Sequence, residues 1–363
     1  MTMPPPRAFL CTAPGRAGII GNPTDMYGGT VISCSTAERA AVLIEPADRM
    51  TFEVAGRRFA VRAPRDLALD GSYFDVARAV VDFLDIPDVA CRIRWACDVP
   101  FAAGLSSSSA MIVALMNALL AFLGRSHHRF RLAEMARCID LHYMGILCGY
   151  QDSYMCTFGG LNYMDFREKE FYRSIGEEPY GTVESLTPYV KDLPFVLAHT
   201  GVRRISGTVH KPIRERWLEG DPDVRQGYLR ISHLARVGKR ALMEEDWELL
   251  AELMTENHEI QRDFGGSGPE NERLIEAALE GGAIGAKLAG AGGGGTIIAL
   301  CPDPETRRRT VAALKRAGAS RLLFPKPSPG VTVTPIEDAG ALREAEAELK
   351  RREAGADIDK SPE

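Results

Sequence analysis

Four serines in a row, Ser106 to Ser109, close the segment Pro100-Phe-Ala-Ala-Gly-Leu-Ser-Ser-Ser-Ser-Ala110 and open a long apolar run. The run predicts a helix from Ser106 through Leu123, which puts the serines at its mouth, where backbone N–H groups have no partner within the helix. Unpaired amides and the positive end of the helix dipole favour negative charge there, and Gly104 lets the backbone approach it closely. Four serines also exceed what a single N-cap requires. The chemistry this suits is the binding of a phosphate chain, with Pro100, Gly104, Leu105, Ser106, Ser107, Ser108 and Ser109 as candidates. No Gly-x-x-x-x-Gly-Lys-Ser/Thr occurs in the chain, so the loop is not of the Walker A kind.

Two other segments carry comparable signals. Ala13 to Gly29 combines glycines and prolines suited to tight turns with Arg16 and Asp25. The first offers a planar fork for phosphate oxygens and the second an acceptor for hydroxyl groups. Lys287-Leu-Ala-Gly-Ala-Gly-Gly-Gly-Gly-Thr296 contains Gly-x-Gly-x-x-Gly at Gly290, Gly292 and Gly295. A dinucleotide fold needs a helix after such a loop, yet Thr296 to Leu300 reads as a strand, so that assignment fails on context. A glycine loop between strands can still bring amides to an anion or fold over another loop.

The elements that must hold these segments follow from hydrophobic period. Alternation predicts strands at Ala8 to Thr12, Gly29 to Ser35, Ala40 to Ile44, Thr51 to Val54 and Arg92 to Ala96, then a second helix around Leu132 to Met144. Thr157 to Phe166 is strand-like, and the charged stretch Arg167 to Glu178 reads as an exposed connection. After a boundary near Lys191 comes a strand at Phe195 to His199, then helical segments at 210–219, 224–244, 246–263 and 269–280. Strands at Gly285 to Leu288 and Thr296 to Leu300, a helix at Glu305 to Ala317 and a strand at Val331 to Pro335 complete the pattern. Strands first, then helices, then a mixed end is an α+β arrangement. The expected domains are 1–190 and 191–340, with 341–363 a charged, frayed tail.

Composition bounds the function. The chain has 363 residues, 45% hydrophobic and 26% charged, a globular balance for two domains that excludes disorder. Its longest apolar stretch, Ala110 to Leu123, is interrupted by Asn117 and falls short of the roughly 18 residues of a membrane span, so a soluble protein is expected. The start has Arg7 but no apolar core with a cleavage site, which makes the cytoplasm the default address. Eight cysteines without Cys-x-x-Cys spacing read as reduced core thiols. A net charge of −5 argues against nucleic acid as a partner.

Together, in this order, Ala13 to Gly29, Pro100 to Ala110 and Lys287 to Thr296 resemble the three motifs of the GHMP kinase superfamily, named for galacto-, homoserine, mevalonate and phosphomevalonate kinases. Within it, Gly21-Asn-Pro-Thr-Asp25, Gly145-Ile-Leu-Cys-Gly-Tyr-Gln-Asp152, Phe158 to Phe166 and Val209 to Trp217 look most like the glucuronokinases. Kinases of the galactose type usually show Gly-Glu-His-Thr-Asp where Gly21-Asn22-Pro23-Thr24-Asp25 stands here.

The resemblance implies an N-terminal domain with a left-handed βαβ unit, a C-terminal ferredoxin-like domain, and ATP and Mg2+ bound between them. It implies metal contacts from Ser108 and Asp140, a carboxylate beside the phosphoryl acceptor at Asp152, and charge neutralisation by Arg16. Asp152 would take the acceptor proton or orient its hydroxyl. Asn22 and Asp25 would hold sugar hydroxyls, with Gly290 and Gly292 nearby. A uronic acid further needs a cation, and Arg203, Arg204, Lys211 and Arg214 are the basic residues in reach, Arg203 standing first. The implied activity is phosphorylation of an anomeric hydroxyl, glucuronate being the foremost acceptor. A heptose, galacturonate, arabinose or galactose kinase, and a non-catalytic nucleotide-binding homologue, are the alternatives. Oligomeric state stays open.

Overall fold

The computed structural model describes residues 8–169, 179–202, 206–290 and 292–356, with the side chains of 206–210 excepted. The first sheet starts with β1 (Ala8–Ile20) and β2 (Thr30–Pro46), a long antiparallel pair whose register shifts between Pro14 and Arg16 and again between Gly18 and Ile20. The expected strand at Ala8 to Thr12 thus runs eight residues further, and Gly15 and Gly18 lie at its irregularities instead of in tight turns, while Gly21 and Gly28 do flank a turn. β3 (Thr51–Val54), β4 (Arg57–Ala60) and β5 (Cys91–Cys97) extend the sheet beyond β2, with β3 and β5 parallel. β6 (Leu161–Asp165) pairs with the first half of β2, and β7 (Thr182–Ser185) with β6.

Helices α1 (Asp75–Leu84), α2 (Ser107–Phe122), α3 (Arg129–Cys138) and α4 (Gln151–Phe158) belong to this first unit. α2 is apolar all round and is buried along nearly its whole length, as such a helix must be. Its one mid-helix polar side chain, Asn117, donates to the Val113 carbonyl at 2.8 Å. The helix expected over Leu132 to Met144 ends at Cys138 and continues as a π-helical turn, Ile139–Tyr143.

The second sheet contains β8 (Phe195–His199), β9 (Gly285–Leu288), β10 (Thr296–Leu300) and β11 (Arg321–Leu323). Four helices, α5 (Ser206–Glu219), α6 (Pro222–Glu244), α7 (Trp247–Asp263) and α8 (Pro269–Glu280), intervene between β8 and β9, and α9 (Pro304–Arg316) lies between β10 and β11. The antiparallel order β11-β8-β10-β9 is that of a ferredoxin-like unit. The fold is therefore α+β with two sheets, as the sequence led one to expect.

Beyond β11 the chain departs from that expectation. β12 (Thr332–Ile336) returns to the first sheet and pairs with β1, so residues up to 340 do not all belong with the second sheet. The segment expected as a frayed tail instead forms α10 (Ala339–Gly355), capped by Asp338, which accepts from Gly340 N at 2.7 Å. Ala345 and Leu349, four apart on one face, bury themselves against Ala41, Leu43 and Ala96. Arg352 then pairs with Asp98 at 2.8 and 2.9 Å, both groups nearly buried. Residues 357–363 lie outside the described residues. The connection expected to be exposed from Arg167 is likewise held at its start, since Lys169 is buried and pairs with Glu134 at 2.8 Å; 170–178 lie outside the described residues. No described helix is long and apolar enough to cross a membrane. All eight cysteines are free thiols.

Candidate active site

The serine loop makes the turn into α2 with left-handed backbone at Ala102, Gly104 and Ser106, φ 52°, 71° and 64°. Ser108 and Ser109 donate to the two oxygens of Asp140, each at 2.6 Å. Asp140 sits on the π-helical turn after α3, a local widening that recurs at functional positions. Burial pushes its carboxyl up to about 6, the two serine hydroxyls pull it back, and the charge of Asp152 raises it again. Ser106 Oγ is buried at the cavity wall with no partner among the described residues. Leu105 turns its side chain into the core, and its carbonyl accepts from Arg16 N at 3.0 Å. Pro100 is buried, and neither it nor Leu105 lines the cavity.

Arg16 owes its placement to the bulge in β1. After the register shift at Pro14 the stretch stays opposite β2, Arg16 facing Ser35 and Gly18 facing Ser33, while two of its amides bond the loops: Arg16 N to Leu105 O and Gly18 N to Ala289 O, each 3.0 Å. A side chain at Gly15 would meet Leu105 O at 2.8 Å, which explains the glycine. The Arg16 guanidinium reaches Asp152 with Nε at 2.7 Å and Nη2 at 2.5 Å from Oδ1, and Gly104 O with Nη1 at 2.5 Å. One cation thereby ties the serine loop to the first turn of α4.

Asp25 faces the same space from a 3-10 turn, Thr24–Tyr27. It accepts from Gln151 N at 3.0 Å and from Gln151 Nε2 at 2.8 Å. Burial raises its carboxyl to about 6, against the pull of the Gln151 amide and with the push of Asp152. Gly149 is demanded by this contact, since a Cβ there would fall 1.9 Å from Asp25 Oδ2. Asn22 Nδ2 donates to Gly290 O at 3.2 Å, and its Oδ1 accepts from Lys287 Nζ at 2.8 Å. Lys287 is fully buried, and burial, helped by the charge of Arg16, brings its amine down to about 7. Sequence reasoning named Lys287 only as the start of the glycine segment. The signal was there: a lysine within Gly-Ala-Lys-Leu, a strand otherwise free of charge.

The glycine loop runs from strand to strand and folds over the serine loop. A Cβ at Gly290 would stand 2.6 Å from Gly104 O, and one at Gly295 2.9 Å from Ala103 O. Gly290 lines the cavity, while Gly292 packs against the Gly266 carbonyl behind it. Asn271 fixes the far side of the loop through Gly294, accepting from its N at 2.6 Å and donating to its O at 2.9 Å.

A single cavity of about 810 Å³ runs along these groups, from Phe101 and Ser106 to Ser109, past Arg16 and Asp152, to Asn22, Asp25, Lys211 and Arg214. That volume is in the range of small-molecule sites. Arg203 and Arg204 lie outside the described residues. For a divalent cation, Ser108 at the wall and Asp140 directly behind it offer two hard oxygen donors, a set that fits magnesium when waters and phosphate oxygens complete its shell.

Comparison with known proteins bears on the same segments. The family model described as GHMP kinases N terminal domain matches residues 73–160, and that described as GHMP kinases C terminal matches 239–320. Glucuronokinase 1 of Arabidopsis thaliana is 28% identical over 311 residues, spanning 79% of this chain and 83% of that protein. A mevalonate kinase of Methanothermobacter thermautotrophicus is 26% identical over 296 residues, spanning 80% and 89%. Among solved structures, Lactococcus lactis galactokinase complexed with galactose shares the fold with a TM-score of 0.71 at 17% identity, over 90% of this chain and 95% of that one.

Proposed function

Because the chain belongs to the GHMP kinase superfamily, whose members are phosphotransferases with alcohol acceptors, we propose that it is an ATP-dependent sugar 1-kinase. It moves the γ-phosphoryl group of ATP to the anomeric hydroxyl of a sugar, with D-glucuronate as the favoured acceptor and glucuronate 1-phosphate as product. The observation that carries this reading is the Arg16–Asp152 pair, which stands in one cavity between the serine loop and the Asn22 and Asp25 pocket.

In this reading the amides and hydroxyls of Ser106 to Ser109 cradle the phosphates at the mouth of α2. Arg16 offsets charge on the transferring group, and Asp152 orients the acceptor hydroxyl or takes its proton. Magnesium, when bound by Ser108 and Asp140, supplies further neutralisation of phosphate charge. Asn22, positioned by Lys287, and Asp25, positioned by Gln151, bind sugar hydroxyls, with Gly290 beside them. Eight free thiols and the use of ATP support a cytoplasmic address. A different acceptor for the same machinery is the second reading, favoured by the similarity to a mevalonate kinase.

The test is ADP release from MgATP over glucuronate, galacturonate, glucose, galactose, arabinose, a heptose and mevalonate. Release with glucuronate above the others supports the proposal. Release only with another acceptor keeps the kinase and removes glucuronate, and silence across the panel removes the catalytic reading.

A further inference from the structure

Gln151 and Asp152 both lie in the first turn of α4, and little in the local sequence holds that turn in place. The helix is 8 residues long, too short to persist by itself, and Tyr150 at its N-cap position makes no side-chain cap bond. Its placement is owed to contacts from elsewhere. On the cavity side these are the bonds of Gln151 to Asp25 and of Asp152 to Arg16. On the far side stands a buried ionic cluster, none of whose side chains lines the cavity.

Tyr150 is fully buried, and two cations lie over its ring, the Arg137 guanidinium carbon 3.8 Å and Lys169 Nζ 4.5 Å from the centroid. Lys169 Nζ also donates to Glu134 and to the Pro179 carbonyl, each at 2.8 Å, and Glu134 accepts from the Tyr154 hydroxyl. Tyr150 and Tyr154, four residues apart, share one face of the chain as it enters α4. Arg137 and Glu134 from α3, with Lys169 from beyond β6, thus grip α4 at two successive points, and all three are nearly fully buried. Packing alone does not call for charge here, because apolar side chains of similar volume would avoid its desolvation. Cations over an aromatic face and an ion pair are directional, whereas apolar contact is not and would leave the helix start free to slide.

We infer that Arg137 and Lys169 are positioning residues, which through the Tyr150 ring fix the first turn of α4 and so set Gln151 and Asp152 against the cavity. That this serves phosphoryl transfer rests on the kinase reading above. A displacement of about 1 Å at reacting groups costs on the order of a hundredfold in rate, so a partial loosening is visible in kcat.

The experiment uses the full-length chain with MgATP and the acceptor that the panel above selects. Arg137→Met should lower kcat about tenfold while the KM for ATP moves less than about twofold, and Arg137→Lys, which keeps a cation at the ring, should recover most of the loss. Tyr150→Leu should lower kcat by itself, and adding Arg137→Met to it should cost little more, because the cation then has no ring to hold. Lys169→Met combined with Glu134→Gln, which leaves no charge buried alone, should behave as Arg137→Met does, and a normal kcat there would strike Lys169 from the role. Hydrogen exchange should quicken at the amides of 149–153 in Arg137→Met and stay as in wild type in β8 and β10. Additive losses in the Tyr150→Leu and Arg137→Met double variant, or unchanged exchange at 149–153, overturn the inference. Loss of protection throughout the chain also overturns it, by making Arg137 an ordinary core residue. If wild type turns over no acceptor, exchange decides alone. Quicker exchange confined to 149–153 then keeps the positioning role while the kinase reading falls, and unchanged exchange removes the positioning role whatever the reaction.

Discussion

Arg16 grips Asp152 from two nitrogens at one oxygen, Nε 2.7 Å and Nη2 2.5 Å from Oδ1, while its third nitrogen holds the Gly104 carbonyl. The carboxylate is thus fixed relative to the serine loop before any ligand arrives, which is the kind of preorganisation that the proposed phosphoryl transfer would reward. Asp152→Asn keeps the shape and removes the charge. Its kcat should fall a hundredfold or more, with the KM for ATP moving less than about threefold. Steady-state kinetics decide this, and a near-normal kcat would take Asp152 out of the chemistry.

Asp140 is costly to bury as an anion. Its carboxyl is raised from 3.8 to about 6 in the folded chain, so the folded form binds the proton more tightly. Stability therefore declines as pH rises between those values, by an amount on the order of 3 kcal/mol when complete. Asp140→Asn, which can still pair with both serines, should melt several degrees above wild type at pH 8. The gap should close as pH approaches 4. The same variant should need about tenfold more magnesium for half-maximal activity. Thermal unfolding from pH 4 to 8 and a magnesium titration check the two halves, and equal melting temperatures at pH 8 would refute the first.

Lys287 titrates in the opposite sense. Its amine is lowered from 10.5 to about 7 in the folded state, so above pH 7 the unfolded chain holds the extra proton and stability rises with pH. Wild type should need more urea to unfold at pH 8.5 than at pH 7, and Lys287→Met should show a flatter profile. Because Asn22 loses its 2.8 Å partner in that variant, the KM for the acceptor should also rise severalfold. Parallel urea profiles for the two proteins would show that the folded chain keeps the amine charged up to pH 8.5 and would refute the lowered value.

Reading from sequence worked where the cause of a structure is local. A serine run before an apolar helix, and glycines between two strands, are short-range signals, and the structure brings both to one cavity with Arg16 and Asp152. The turn signals in Ala13 to Gly29 held for Gly21 to Gly28, which turns around the 3-10 helix Thr24–Tyr27, and misled only for Ala13 to Ile20, where pairing with β2 and bonds to the Leu105 and Ala289 carbonyls keep the chain extended. Lys169 falls in a stretch that read as exposed, and it is buried because its partner, Glu134, comes from α3, far off in sequence. The last helix looked like a loose tail because charge dominates its composition, yet Ala345 and Leu349 on one face and the Arg352–Asp98 pair are enough to dock it. Gly149 carried no visible reason at all until Asp25 Oδ2 was found in the space a side chain would need.

The pairing of β1 with β12 joins the first described strand of the chain to the last, Cys11 opposite Val333. During synthesis, that edge of β1 leaves the ribosome with its natural neighbour still unmade. At about 5–20 residues per second the wait is on the order of half a minute. Over that interval the nascent first sheet exposes an open edge, the feature that most invites pairing with a foreign strand. Shielding of that edge by cellular chaperones, and the behaviour of chains stopped short of Thr332, are where the cost of this arrangement would be felt.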